Sequence, residues 1–74
     1  MIAPVAMLGV LLDDRPGEIA RVGHALSESG VDLRDLQLRH ATHGGGGVLT
    51  LSVRVGELER LRAALLAEDF RLLN

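Results

Sequence analysis

A chain of 74 residues has room for one small core, so the sequence is expected to form a single domain over residues 1–74, marginally stable alone. It contains no cysteine, which excludes disulfide staples and thiolate metal sites. Its net charge of -2 gives no electrostatic basis for binding nucleic acid or an anionic membrane. Phe70 is the only aromatic residue, too few for a base-stacking sheet.

No apolar run approaches membrane-spanning length, and the apolar start from Met1 to Val10 lacks the basic flank and cleavage site of a signal peptide. A soluble, cytoplasmic domain is the expectation.

Val5 to Leu12 (VAMLGVLL) is a near-continuous apolar run, the pattern of a strand buried on both faces. Gly9 within it signals a bulge or a close backbone approach. The run ends at Asp13-Asp14-Arg15-Pro16-Gly17. Pro16 suits the first position of a helix, where its missing N–H costs nothing. Ile19, Val22, Gly23 and Leu26 form one stripe, and Gly30 stands where a C-terminal cap belongs, so a helix is predicted over Pro16–Ser29.

Leu36, Leu38 and His40 then alternate with Asp35, Gln37, Arg39 and Ala41, after a phase slip that follows Leu33. A glycine loop, Gly44 to Gly47, joins this strand to a second alternating one carrying Leu49, Leu51, Val53 and Val55. The loop reads equally as a spacer or a lid. Leu58, Leu61 and Leu65 mark a second helix from about Glu57 to Ala67, and FRLLN a short closing strand.

The order strand, helix, strand, strand, helix, strand is the α+β, ferredoxin-like βαββαβ pattern. Right-handed crossovers place both helices on one face of a four-stranded antiparallel sheet of order 4-1-3-2. The second strand is then an edge, free to pair with another copy.

The turn at Asp14–Gly17 is the main candidate site. Backbone N–H groups of Gly17 and Glu18 lack intrahelical acceptors and suit a carboxylate, while Asp14 suits an ammonium group. An amino acid carries both. The same four residues are also a sound way to leave a strand and start a helix.

Residues 14–33, DRPGEIARVGHALSESGVDL, with the hairpin and second helix that follow, resemble the ACT domain family over essentially the whole chain. The resemblance implies a regulatory module that binds an amino acid, with no cofactor and no active site of its own. It implies a homodimer joined through the second strand (Asp35, Gln37, Arg39, Ala41), with ligand between the first loop of one copy and the start of the second strand of the other. Carried onto this sequence, the ligand-binding positions are Leu12, Asp14, Arg15, Pro16, Gly17 and Glu18 from the loop, and Val31, Asp32 and Leu33 from the second strand. Some members carry Asn where this chain has Asp14 and Asp32. An amide donates to a carboxylate and an ionised Asp does not, so the exchange favours the ligand's ammonium end at both positions.

The stretch DLQLRHATHGGGGVLTLSV is similar to the C-terminal ACT domain of some bacterial prephenate dehydrogenases, which implies feedback control by an aromatic amino acid, tyrosine above all. Three readings stand beside this one. They are a dimerisation module without ligand, a hydrolytic pair from His24 with Ser27 or Ser29, and a metal-responsive domain using His40, His43 and Asp35.

Overall fold

The computed structural model describes residues 4–40 and 46–73. Four strands and two helices follow the expected order: β1 (Val5–Leu12), α1 (Glu18–Ser29), β2 (Asp35–His40), β3 (Gly47–Arg54), α2 (Leu58–Ala67) and β4 (Arg71–Leu72). All strand pairs are antiparallel, and the spatial order is β2-β3-β1-β4, the predicted ferredoxin-like topology.

Period-two alternation builds the core. Leu8 and Val10 on β1 stand opposite Leu51 and Leu49 on β3, and Ala6 stands opposite Val53. These pairs share one face of the sheet. Against it pack Val22 and Ala25 of α1, Leu61 and Leu65 of α2, and Phe70. Leu8, Val10, Leu49, Leu51, Val53, Leu61 and Leu65 are completely buried. Partial burial of Val31 and Leu33 against this cluster ties the α1–β2 connection to it.

Three expectations need correction, and two are narrowed. β1 is not buried along both faces: on the side away from the helices Gly9 is covered by Leu73, but Met7 is 62% exposed, because no second layer among the described residues covers that side of the sheet. Of the two readings of Gly9 the bulge falls, since the β1–β3 register is unbroken from Val5 to Leu12, and the close approach holds: the Leu73 N–H donates to the Gly9 carbonyl at 2.9 Å, and a Cβ on Gly9 would fall 2.9 Å from Leu73 Cδ1. α1 begins at Glu18, not Pro16, because Gly17 takes a left-handed conformation (φ 85°) that ends the turn just before the helix. α2 is preceded by a 3₁₀ turn over Val55–Glu57, which lifts Val55 out of the β3 alternation and leaves it exposed. The closing strand is two residues long. Gly30 does cap α1, at φ 70°, donating its N–H to the Leu26 carbonyl. Ala41 and His43 lie outside the described residues.

Candidate functional site

The chain leaves β1 at Leu12 and turns through residues 13–17 into α1. A buried carboxylate, Glu18, organises this turn. It is 6% exposed. Its Oε2 accepts the Asp13 backbone N–H at 3.3 Å, and its Oε1 accepts from Arg21 at 2.7 Å and Arg15 at 3.3 Å. Burial pushes the Glu18 carboxyl up, but the Arg21 hydrogen bond, the Asp13 N–H and the charges of Arg15 and Arg21 outweigh it and hold the group below its ordinary 4.5. Arg21 also donates to the Glu68 carbonyl and lies over the Phe70 ring, 4.5 Å from its centroid. The turn is thereby tied to the α2–β4 connection. Asp13 is held by Arg15 at 3.3 Å and Arg71 at 3.4 Å.

Within α1 the first hydrogen bond runs from the Arg21 N–H to the Gly17 carbonyl at 3.0 Å. The N–H groups of Glu18, Ile19 and Ala20 therefore have no acceptor inside the helix. The free donors extend two residues beyond Glu18, to Ala20. Together with the helix dipole they favour an anion.

Beside this terminus is a cleft of about 320 Å³. Leu12, Ile19, Ala20 and Leu38 give it an apolar part. Asp14, His40 and the backbone of Gly46 and Gly47 give it a polar one. Its β2 wall is the exposed edge strand. Asp14 is the acid here without an ion pair among the described residues; Asp13 and Glu18 are neutralised by the arginines described above. The cleft thus presents one uncompensated carboxylate, one helix terminus and an apolar wall. The hairpin's return is fitted closely to it: at Gly46 (φ 74°) a Cβ would lie 2.5 Å from the Leu12 carbonyl oxygen.

Of the residues expected from sequence, Leu12, Asp14, Arg15, Gly17 and Glu18 line this cleft. Pro16 lies in the turn and borders a neighbouring depression with Arg15, Glu18, Arg21 and Asp69. Val31, Asp32 and Leu33 are elsewhere. β1 and β2 are both antiparallel to β3, so they run in the same direction, and the start of β2 is at the opposite end of the sheet from Leu12. Asp32 is paired there with Arg34 at 2.8 Å and Arg54 at 3.5 Å, and its N–H donates to Glu57 at 3.3 Å. One copy of the chain does not bring the two halves of the expected site together.

Ile19, Leu38 and His40 are not among the expected binding residues. Ile19 belongs to the predicted helical stripe but is 52% exposed, at the cleft. The signal for Leu38 and His40 is the alternation of the edge strand, which puts both on the helix side, opposite Leu49 and Gly47.

The rival sites fare differently. His24 lies between Glu28 (3.7 Å) and Glu68 (3.8 Å) on an exposed helix face. The Ser29 hydroxyl donates to the Leu26 carbonyl at 2.8 Å and accepts the Val31 N–H at 3.2 Å, a helix-ending role. Asp35 and His40 stand on opposite faces of β2, and among the described residues no group of three or more candidate ligands is placed to hold a metal ion. Among the described residues no helix is long and apolar enough to cross a membrane.

Comparison with known proteins gives a consistent answer. The ACT domain family matches residues 6–69. The ACT domain of prephenate dehydrogenase from Bacillus anthracis is 28% identical, with a TM-score of 0.81 over 92% of this chain and 100% of that one. The ligand-free regulatory subunit of aspartate kinase from Thermus thermophilus is 22% identical, with a TM-score of 0.79; 97% of this chain matches 50% of that one, which shows shared fold. Protein BT0572 from Bacteroides thetaiotaomicron shares the fold likewise, at 20% identity and a TM-score of 0.77 over 96% of this chain and 47% of that one. No curated protein matches at a significant level. With the βαββαβ topology, the strand–turn–helix cleft and a family match spanning most of its length, the chain belongs to the ACT domain family, whose members are regulatory ligand-binding modules.

Proposed function

We propose that this domain senses a free amino acid at a homodimer interface and controls an enzyme of amino-acid biosynthesis. The observation that carries the reading is the cleft at the start of α1, where the Asp14 carboxylate, unpaired among the described residues, sits beside free helix N–H groups. An amino acid offers an ammonium group to the first and a carboxylate to the second, a short distance apart. The volume, about 320 Å³, is at the small end of ligand pockets.

In this reading Gly17 and Glu18, with Ile19, supply backbone N–H groups, Asp14 takes the ammonium, and Leu12 and Leu38 flank the ligand side chain. Arg15 and Pro16 shape the turn. Two copies pair along β2, which brings Val31, Asp32 and Leu33 of the partner subunit to the open side of the cleft. Regulation is then a coupling free energy: ligand bridging two copies favours one interface arrangement over another. The likeness to the Bacillus anthracis domain supports prephenate dehydrogenase as the kind of enzyme controlled. The effector in this reading is tyrosine.

The test is a thermal-shift screen of the purified chain against the twenty amino acids and prephenate, with zinc and nickel alongside. A ligand that binds only the folded state raises the midpoint by mass action. Tyrosine or phenylalanine is expected to do so, and Asp14→Ala to abolish the shift while leaving the unliganded midpoint in place, since the Asp14 side chain holds no partner among the described residues. A folded sample that responds to none of these amino acids refutes sensing and leaves a dimerisation module.

A further inference from the structure

The edge strand β2 carries a sequence that is complementary to itself. Reading Asp35-Leu36-Gln37-Leu38-Arg39 against a second copy running the other way sets acid against base, leucine against leucine and glutamine against glutamine. β2 bonds to β3 on one side, and its other edge is unpaired among the described residues. Such an edge presents a row of free N–H and C=O groups.

The side chains on that edge are also without partners. Among the described residues Asp35 and Arg39 form no ion pair, whereas every other arginine does. Leu36 and Leu38 face the helix side, opposite Leu51 and Leu49, yet are 45% and 40% exposed. Asp35, Gln37 and Arg39 share the other face, opposite Ser52, Thr50 and Val48.

We propose that two copies join β2 to β2, antiparallel, in a single register with Gln37 on the two-fold axis. This rests on the homodimer reading above and specifies it. Directly opposite residues in an antiparallel ladder share a face. Asp35 then meets Arg39 of the partner subunit on the open face, and Leu36 meets Leu38 of the partner subunit on the helix face, each pair occurring twice by symmetry. Moving the axis by one residue sets one charge opposite glutamine and strands the other. Moving it by two sets Asp35 against itself or Arg39 against itself. The charge pattern therefore selects one register and rejects its neighbours.

The register has a consequence for the cleft. His40, part of the cleft wall, falls opposite residue 34 of the second copy. The start of β2 in that copy, with its Asp32–Arg34 ion pair, is carried to the cleft's open side.

The absence of cysteine makes the test clean. Opposite Cα atoms in an antiparallel pair are about 4.5–5.5 Å apart, within disulfide reach. Mild oxidation is expected to link Gln37→Cys to itself. It should not link Asp35→Cys or Arg39→Cys alone, but should link those two variants when mixed. In parallel, Asp35→Arg and Arg39→Asp are each expected to raise the dimer dissociation constant by about tenfold or more, read by analytical ultracentrifugation. Mixing them restores a dimer, since one variant then carries a positive charge at both positions and the other a negative charge at both. A native dimer with no Gln37→Cys link and no response to either charge change overturns the register alone. A chain that stays monomeric at high concentration overturns the register together with the homodimer reading. An intact, cross-linked dimer that responds to no amino acid fails only the sensing reading.

Discussion

Replacing Gly46 with Ala is expected to destabilise the protein about two to four times as much as replacing Gly17, although both residues have left-handed backbone conformations, φ 74° and 85°. A side chain in that region costs about 1–2 kcal/mol. Reduced freedom of the unfolded chain returns about 0.4–1 kcal/mol of it for Gly→Ala. At Gly17 a Cβ meets nothing within 4 Å, so the net cost is backbone strain alone, about 1 kcal/mol. At Gly46 the Cβ would lie 2.5 Å from the Leu12 carbonyl oxygen. That atom is backbone, at the end of β1, where Leu12 pairs with Gly47, and it has no flexible tail to swing away. Relieving the contact means pushing the strand end back, an overpacking cost of about 1–3 kcal/mol.

The totals are about 1 kcal/mol for Gly17→Ala and about 2–4 kcal/mol for Gly46→Ala. In a domain of this size each kcal/mol moves the midpoint by roughly 4–8 °C. Thermal melts followed by circular dichroism, at one fixed protein concentration, separate the two. Equal midpoints would show that the hairpin does not press on the Leu12 turn and that the cleft wall there is misplaced.

Glu18→Gln gives a pH signature. The folded carboxyl lies below 4.5, so its ionised form stabilises the fold above that value, and the contribution is lost as pH falls through the folded value. The gap in urea midpoint between wild type and Glu18→Gln should be full at neutral pH and shrink in acid below about pH 4.5. A gap that is constant down to about pH 3 would contradict the Glu18–Arg21 geometry. Leu61→Ala empties a completely buried position and should cost about 2–5 kcal/mol, seen as a large loss of urea midpoint; an unchanged midpoint would mean α2 does not pack on the sheet. Arg21→Lys keeps the charge but loses the guanidinium contacts to the Glu68 carbonyl and the Phe70 ring, so a lower midpoint than wild type is expected.

The parts of the fold legible in sequence are those set by local period and by chain connectivity. Leu49, Leu51 and Val53 announce their buried face by alternation, and Gly30 announces the end of α1. The strand order follows from the element sequence and the handedness of crossovers. What misleads is inference from hydrophobicity to burial. VAMLGVLL reads as buried on both sides, but whether a second layer exists to cover Met7 is a property of the whole assembly of elements. Ile19 fits the helical stripe by spacing, yet sits one turn too early to reach the sheet and faces the cleft instead. The Glu18 cluster did leave a signal: arginines three residues before and three after a glutamate, a spacing that converges on one side of a helix start.

The two halves of the expected site differ in legibility for a physical reason. The Leu12–Glu18 half is a continuous segment, so turn chemistry and helix-terminus donors locate it from sequence. Its wall from Leu38 and His40 depends on strand pairing, which only long-range register supplies. The Val31–Leu33 half is at the far end of the same sheet, and only the proposed dimer would bring it to the first half. The interface we propose has its own mark in the sequence, the self-complementary order Asp35 to Arg39, on a strand that is an edge with its two charges unpaired and its leucines half exposed among the described residues. A strand that satisfies its own chain's core needs no such symmetry. One that must recognise itself does, and the two-fold pattern around Gln37 is what distinguishes the second case from the first.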